Sequence, residues 1–335
     1  MLNPFATDAF SVVSLTKAIN ILPNSYGRIR ELNLMPGRGV RSRSIVIEER
    51  NGVLNLLPTK APGAPGTYAE TAKRKVRSFV IPHIPHEDVI LPQEYEEVRA
   101  FGTENEISTV ASIMNDHLQT AKNKFAITLE YLRMGALKGI IMDADGSVLY
   151  NLYTEFGIPE KKINFELGTN ANVQTKCFEV SRHIEDNLKG EVMTEVRALV
   201  SPEFFDKLIS NESVKEVFKF HTTSVDRLGG DPRKNFNFAG IVFEEYRGIA
   251  TDVNGVPKRF IEPGEGHCFP LGTLNSFETL FAPADFIETV NTLGIELYAK
   301  QAPRKFERGI DLHFQSNPLP VCYRPGLLVK IFSSN

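Results

Sequence analysis

The chain has 335 residues, 42% hydrophobic and 24% charged, with a formal net charge of −3. This composition is that of an ordinary globular protein of one large domain or two smaller ones, with no overall preference for nucleic acid or an anionic membrane. No stretch approaches the roughly 18 apolar residues that a membrane-spanning helix needs, and Cys177, Cys268 and Cys322, widely spaced and without a CxxC, argue for free thiols in a reducing compartment rather than a disulfide framework.

The N-terminal MLNPFATDAF lacks the charged start and apolar centre of a signal peptide, so synthesis in a reducing cytoplasm is expected. Charge is unevenly distributed. Residues 1–77 hold 12 Lys/Arg against 5 Asp/Glu, a net of +7, whereas residues 78–116 hold 8 Asp/Glu against Arg99 alone, a net of −7. Such segments can pair within one chain or, if the basic part reaches outward, between chains. Two independently solvated faces would carry the same pattern.

Asp8 to Leu22 carries Phe10, Val13, Leu15, Ala18, Ile19 and Leu22 at near-helical spacing, ended by Pro23 and Asn24. A Gly/Arg run (Pro36 to Arg43) leads into an alternating stretch from Ser44 to Leu57. There the Asn51-Gly52 pair predicts a tight hairpin that returns through Val53 and Leu54. A Pro/Gly loop follows at 60–66, then the basic Lys73 to Arg77 and an apolar run, Phe79 to Ile84. The whole excursion reads as a long two-stranded loop projecting from the body. The first hundred residues offer too few large apolar side chains for a core of their own, which points to completion by another subunit.

From Glu104 to Leu137, Ile107, Val110, Ala111, Met114, Leu118, Ala121, Phe125, Leu129 and Leu132 recur at three- and four-residue steps. Thr103 and Glu106 have capping-box spacing, and Gly135 and Gly139 are expected to stop this helix. At about 1.5 Å per residue it would run on the order of 50 Å. A hairpin is expected next, Ile140 to Met142 and Val148 to Tyr153 around Asp143-Ala-Asp-Gly146. An α/β texture then starts near Lys161. It comprises a strand at 163–167, a helix at 173–188, a strand at 196–200 and a helix capped by Ser201 with Pro202 first. A short helix around Val214 to Phe218 follows, with strands at 238–243, 259–261, 295–299, 310–314 and 327–332.

Chemistry-bearing motifs are few. Asp143 to Gly146 lacks the later acidic positions of a calcium loop and reads as a turn. Gly229-Gly230-Asp231-Pro232 lacks the Lys-Ser/Thr of a phosphate loop. His83 and His86, with Glu87 and Asp88, form the one local set of potential metal ligands, on a Pro-flanked extended segment. Cys268 beside His267 offers a formal nucleophile with no activating motif around it. Lys73, Arg74, Lys75 and Arg77 form a basic patch near Tyr68 and Phe79, suited to non-specific phosphate contact or to an acidic neighbour.

This order of elements resembles the major capsid proteins of tailed bacteriophages, most closely the lambda-type phage major capsid protein E family. The phrases that carry the resemblance are Ile84-Pro-His-Glu-Asp-Val-Ile-Leu-Pro92, Thr128 to Gly139, Val196 to Phe205, Gly266-His-Cys-Phe-Pro-Leu-Gly272 and Arg324-Pro-Gly-Leu-Leu-Val-Lys330. They span nearly the whole chain. The resemblance implies an α+β fold of the Hong Kong 97 type. Its parts would be an N-terminal arm (1–36), an extended loop (37–82) and a peripheral domain (83–160) with a spine helix at about 104–137. A mostly axial α/β domain (161–300) and returning strands shared between the two domains (301–335) would complete it.

The resemblance further implies self-assembly as hexamers and pentamers into an icosahedral head around double-stranded DNA, without catalysis, cofactor, metal or membrane. Because the arm begins almost at once, any scaffold is expected to be a separate protein; a portal, a decoration protein and non-specific contact with DNA complete the expected partners. The chain would be made in the host cytoplasm and reside in the virion. Charge then nominates an intersubunit interface, with Arg41, Arg43, Lys73, Arg74, Lys75 and Arg77 of one copy facing Glu94, Glu96, Glu97 and Glu104 of the next. An encapsulin-like compartment shares the fold, and a hydrolase using Cys268 or a His83/His86 metal site is the reading from another class.

Overall fold

The computed structural model describes residues 15–17, 19, 27–50, 74–94, 110–168, 172–228, 231, 233–252 and 254–333. The dominant element is one helix, Val110–Lys138, of 29 residues, about 43 Å at about 1.5 Å per residue. The expected Thr103 cap lies outside the described residues. Gly135 does not end the helix. A side chain there would press on the backbone of Ile140 and Ile141, so its role is close packing against the strand that follows. Gly139, at φ +77°, makes the stop.

The long helix is buried along its length in two separate cores. Its first half sets Ile113, Met114, Leu118, Ala121 and Phe125 against Ile90, Leu312 and Phe314. The latter belong to a three-stranded antiparallel sheet ordered Tyr298–Pro303, Ile310–Ser316, Ile84–Ile90. Leu15 and Ile19, in the described part of the predicted first helix, close this core. The second half places Leu132, Met134, Ala136 and Leu137 in a central core with Ile29, Leu34, Phe79, Ile81, Leu280 and Val321. Here Gly37–Gly39, within the Gly/Arg run, forms an unexpected strand parallel to Phe277–Phe281, which pairs in turn with Pro318–Cys322. Gly is required at 39 because a Cβ would collide with the carbonyl of Gly294.

The third core surrounds a mixed six-stranded sheet. Its order is Lys161–Asn164, Val329–Phe332, Glu265–Leu271, Glu195–Val200, Ile241–Glu245, Phe236–Phe238. Val196, Ala198 and Val200 face one way and pack with Phe165, Phe204, Phe205 and Phe243 under helices Val173–Leu188, Pro202–Ser210 and Glu212–Leu228. Leu199 and Phe269 face the other way into the central core. A strand buried on both faces reads as an apolar run rather than an alternation, as Val196 to Val200 does apart from Arg197. Ser201 Oγ accepts from the Phe204 N–H at 3.2 Å, and Pro202 takes the first turn, as the sequence predicts.

Several local expectations are corrected. Ser44–Arg50 pairs with Arg74–Val80, Ile45 opposite Phe79 and Arg50 opposite Arg74. The turn expected at Asn51-Gly52 and its return through Val53 and Leu54 lie outside the described residues. The strand expected at 148–153 ends at Asn151, whose Oδ1 caps a short helix, Leu152–Phe156. The strand expected at 238–243 is two strands joined by Ala239 and Gly240 at φ +50° and +85°, the left-handed pair of a tight hairpin turn. The short helix around Val217 runs for 17 residues.

Candidate assembly interface

The ribbon Ser44–Arg50/Arg74–Val80 is held at its root and open beyond it. Phe79 is buried against Tyr150 and Phe156, with ring centroids 5.2 and 6.3 Å away. The Tyr150 hydroxyl accepts from the Val80 N–H and donates to the Val80 carbonyl, both at 2.8 Å. The ribbon's other face leaves Val46, Val76 and Val80 58–63% exposed. Isolated surface valines are common, but three on one strand pair form a stripe with no cover among the described residues.

The nominated basic residues divide. Arg41 and Arg43 are exposed, Arg43 only 3.9 Å from Asp285. Arg74 and Lys75 sit by register opposite Arg50 and Glu49 near the far end of the described ribbon, and Lys73 lies outside the described residues. Arg77 is used within the chain: it donates to the Glu155 carbonyl at 2.6 Å and lies 4.6 Å over the Phe156 ring. Of the acidic set, Glu94 accepts from the Leu91 N–H at 2.8 Å and from His117 at 3.0 Å. Glu96, Glu97 and Glu104 lie outside the described residues.

His117 escaped sequence reasoning because it sits off the helix stripe with no motif around it. Its two ring nitrogens meet Asp88 Oδ2 at 2.7 Å and Glu94 Oε2 at 3.0 Å, tying the long helix to strand Ile84–Ile90 and the turn after it. Partial burial alone would lower its pKa; the two carboxylates outweigh that and hold it above its ordinary value. Burial likewise works against ionised Asp88, but hydrogen bonds from His117 and the Val89 N–H, with the nearby positive charges, together outweigh it and leave Asp88 below the usual range.

A second unforeseen network joins the arm to the six-stranded sheet. Arg28, in the short helix Arg28–Glu31, holds Glu244 at 2.6 and 3.0 Å, and Glu244 also accepts from Arg197 at 2.7 Å. Glu130 of the long helix accepts from the Ile29 N–H at 2.9 Å and the Tyr246 hydroxyl at 3.2 Å. Arg30 reaches Glu296 at 2.7 Å. An arm of low apolar content is thus fastened by charged hydrogen bonds.

The residues of the catalytic alternative are not assembled for it. Cys268 is fully buried in the sheet, where loss of solvent pushes its thiol well up and disfavours the thiolate that a nucleophile requires. His83 meets Asn317 at 3.0 Å, whereas His86 lies 3.1 Å from Lys124 and stacks on Phe314. Asp88 is engaged with His117 rather than with either of them. Among the described residues no group of three or more His, Cys, Asp or Glu is placed to hold a metal, and no helix is long and apolar enough to cross a membrane.

An arm, a two-stranded ribbon, a long helix lying over antiparallel sheet, and a mixed sheet under helices together constitute the Hong Kong 97-type capsid fold. The capsid of Ralstonia phage GP4 superposes with a TM-score of 0.54 at 9% identity, over 99% of this chain and 97% of that one. The family model for phage major capsid protein E matches residues 11–333. The major capsid proteins of Salmonella phage Felix O1 and Pseudomonas phage KPP10 are 31% and 30% identical. They cover 99% and 98% of this chain, and the matches take in 98% of each relative. The chain belongs to the phage major capsid protein E family.

Proposed function

We propose that this major capsid protein assembles as hexamers and pentamers into an icosahedral head that encloses double-stranded DNA. The observation that carries this reading is the exposed Val46–Val76–Val80 face of a ribbon rooted firmly in its own chain. A two-stranded ribbon has little stability in water by itself and gains it by lying on a surface. A neighbouring copy supplies such a surface. Residues 37–82 act as the extended loop, residues 83–160 with the long helix as the peripheral domain, and residues 161–300 as most of the axial domain. The basic excursion of one copy crosses the acidic 87–106 segment of the next, with Arg41, Arg43 and Lys73 to Lys75 as donors and Glu96, Glu97 and Glu104 as acceptors. A separate scaffolding protein, a portal and a decoration protein complete the partners. DNA is met without sequence reading, the chain is made in the host cytoplasm, and it carries no catalytic role.

Electron microscopy of the protein, expressed alone and with its genomic neighbours, tests this. Uniform shells or rings are expected; a small monodisperse species in both preparations would overturn it. Charge reversal at Arg74 and Lys75 to Glu tests the pairing, with a folded monomer and impaired assembly expected. Normal shells would remove the charge argument and leave the apolar one.

A further inference from the structure

Among the described residues, exposed aliphatic side chains are densest in the loop between strands Phe277–Phe281 and Tyr298–Pro303. Ile287, Val290 and Leu293 are 91%, 65% and 58% exposed, and Ile295 is 39% exposed. Single exposed aliphatics are ordinary, whereas four within nine residues make a patch. The backbone that displays them is braced. Thr289 is buried, its Oγ1 lying 2.8 Å from the Ala284 carbonyl and 3.0 Å from that of Phe286. Thr292 Oγ1 donates to the Thr289 carbonyl at 2.7 Å, and the Ile295 N–H donates to the Tyr298 hydroxyl at 3.1 Å. Beneath, the Phe286 ring meets Tyr298 and His313 edge-on, with centroids 6.4 and 5.6 Å away. Gly294 is pressed so close to the Phe281 carbonyl that a Cβ would collide with it. A surface ordered before it is covered loses little conformational freedom on binding.

The charges that flank the patch are paired within the chain. Asp285 lies 3.9 Å from Arg43, Glu288 takes Lys300 at 2.9 Å and Glu296 takes Arg30 at 2.7 Å. Neither DNA nor a strongly charged partner finds a matching field there, so the complement this loop asks for is apolar. The chain exposes such a complement in its ribbon. Val76 and Val80 alternate along one strand and Val46 stands opposite Ser78, which puts all three valines on one face.

We infer that the loop Ile287 to Ile295 of one copy receives the Val46–Val76–Val80 face of the ribbon of a second copy. Both surfaces are exposed within a single chain, so the contact is not made inside it. The neighbouring sheet supplies a direction. Tyr298–Pro303, which begins just after the loop, and Ile84–Ile90 are both antiparallel to Ile310–Ser316 and so run the same way. From Ile84 to Ile90 the sheet extends about 20 Å at about 3.3 Å per residue, ending where the acidic stretch around Glu94 begins. Val80 to Arg74 spans the same number of residues. A ribbon seated on the loop and lying along this sheet therefore brings its basic end, Arg74 and Lys75, to that acidic stretch. The inference rests on the capsid reading above and adds to it the surface on which the ribbon lands.

The test is a cryo-electron microscopy map of wild-type shells, with two variants of the loop. The map is expected to place Val46, Val76 or Val80 of an adjacent copy within about 4.5 Å of Ile287, Val290 or Leu293. Val290→Cys puts one reachable thiol on a chain whose own three cysteines are buried. Ellman's reagent is expected to label it readily in the unassembled protein and about tenfold or more slowly in shells. Ile287→Asp combined with Val290→Asp is expected to leave the melting temperature of the unassembled protein near wild type and to cut shell yield about tenfold or more. A loop that faces solvent in the map, a loop covered by any other surface, equal labelling in the two states, or wild-type shell yield from the double variant would overturn the inference and leave the capsid reading intact. Absence of shells from the wild-type protein would overturn both.

Discussion

Arg28 and Glu244, 216 positions apart in the chain, meet as a two-pronged pair, Nε to Oε1 at 2.6 Å and Nη2 to Oε2 at 3.0 Å. Glu244 is nearly inaccessible, whereas the Arg28 side chain is 30% exposed, so the two ends of the pair are not equivalent. Arg28→Ala should cost about 1.5–3 kcal/mol, the range for a hydrogen bond to a charged group. Glu244→Ala should cost more, about 3–5 kcal/mol, because it leaves Arg197 buried and short of its nearest carboxylate. Denaturant unfolding of the unassembled protein gives both values; the reverse ranking would show that the arm, not the sheet, depends on this pair.

The His117 latch predicts a pH dependence with a definite sign. A histidine whose folded pKa is raised adds stability that is fully present below its unfolded value, about 6.5, and lost as pH rises through the folded value. Asp88, held low, adds stability above its unfolded value that is lost as pH falls through the folded one. The latch should therefore be strongest in the weakly acidic range between the two. Melting temperature against pH for wild type and His117→Ala should converge toward alkaline pH; curves that stay parallel would show that the latch is inert.

Backbone proximity at Gly39 sets a third expectation. Gly39→Ala must displace the Gly294 carbonyl and should cost about 1–3 kcal/mol by overpacking. Gly240→Ala meets no neighbour and bears only the left-handed backbone penalty of about 1–2 kcal/mol. Thermal unfolding of Gly39→Ala, with loss of the parallel pairing between Gly37–Gly39 and Phe277–Phe281, would mark the steric effect.

Val46→Asp combined with Val76→Asp tests the ribbon directly. Both side chains are more than 60% exposed, so the monomer should unfold as wild type does while shell yield drops by about tenfold or more. Unchanged shells would show that the stripe faces solvent in the particle.

The three thiols should be silent in the folded state. Burial pushes Cys177 and Cys322 up to about 12 and raises Cys268 well above its ordinary value. Ellman's reagent is expected to label none of them until the protein unfolds, and then all three together.

Much of this architecture was legible in the sequence where one pattern dominates. The long helix announced itself through Met114, Leu118, Ala121 and Phe125, and the Ser201-Pro202 cap through local chemistry alone. Not every short strand was legible, although Ile140–Met142 was. Gly37–Gly39 has no apolar signature and exists because Phe277–Phe281 offers it parallel partners. The partner of Ser44–Arg50 was not legible either: Arg74–Val80 lies far down the chain, and the pairing places Ile45 opposite the buried Phe79. Phe238 to Phe243 looked like one strand because Ala239, a poor left-handed residue, hides the turn. At the candidate interface, charge placed Arg77 and Glu94 on opposing surfaces, yet each found an acceptor or donor at home. His117, Glu130 and Glu244 had no sequence signal at all; their partners are distant in the chain and appear only when the helix and sheet are brought together.

The clamp at the ribbon's root has a mechanical consequence. With Tyr150 bonded to both polar groups of Val80, Phe79 wedged between aromatic rings and Arg77 pinned to Glu155 and Phe156, the ribbon behaves as a cantilever. Any bending during shell growth must occur outward of Arg77, where the strand carries exposed Val76 and the basic pair. Force applied at the free end is delivered to the short helix Leu152–Phe156 and to strand Val148–Asn151, hydrogen-bonded to the strand that follows the long helix. A neighbour pulling on the tip would therefore be felt at the C-terminal end of that helix before it reached the six-stranded sheet.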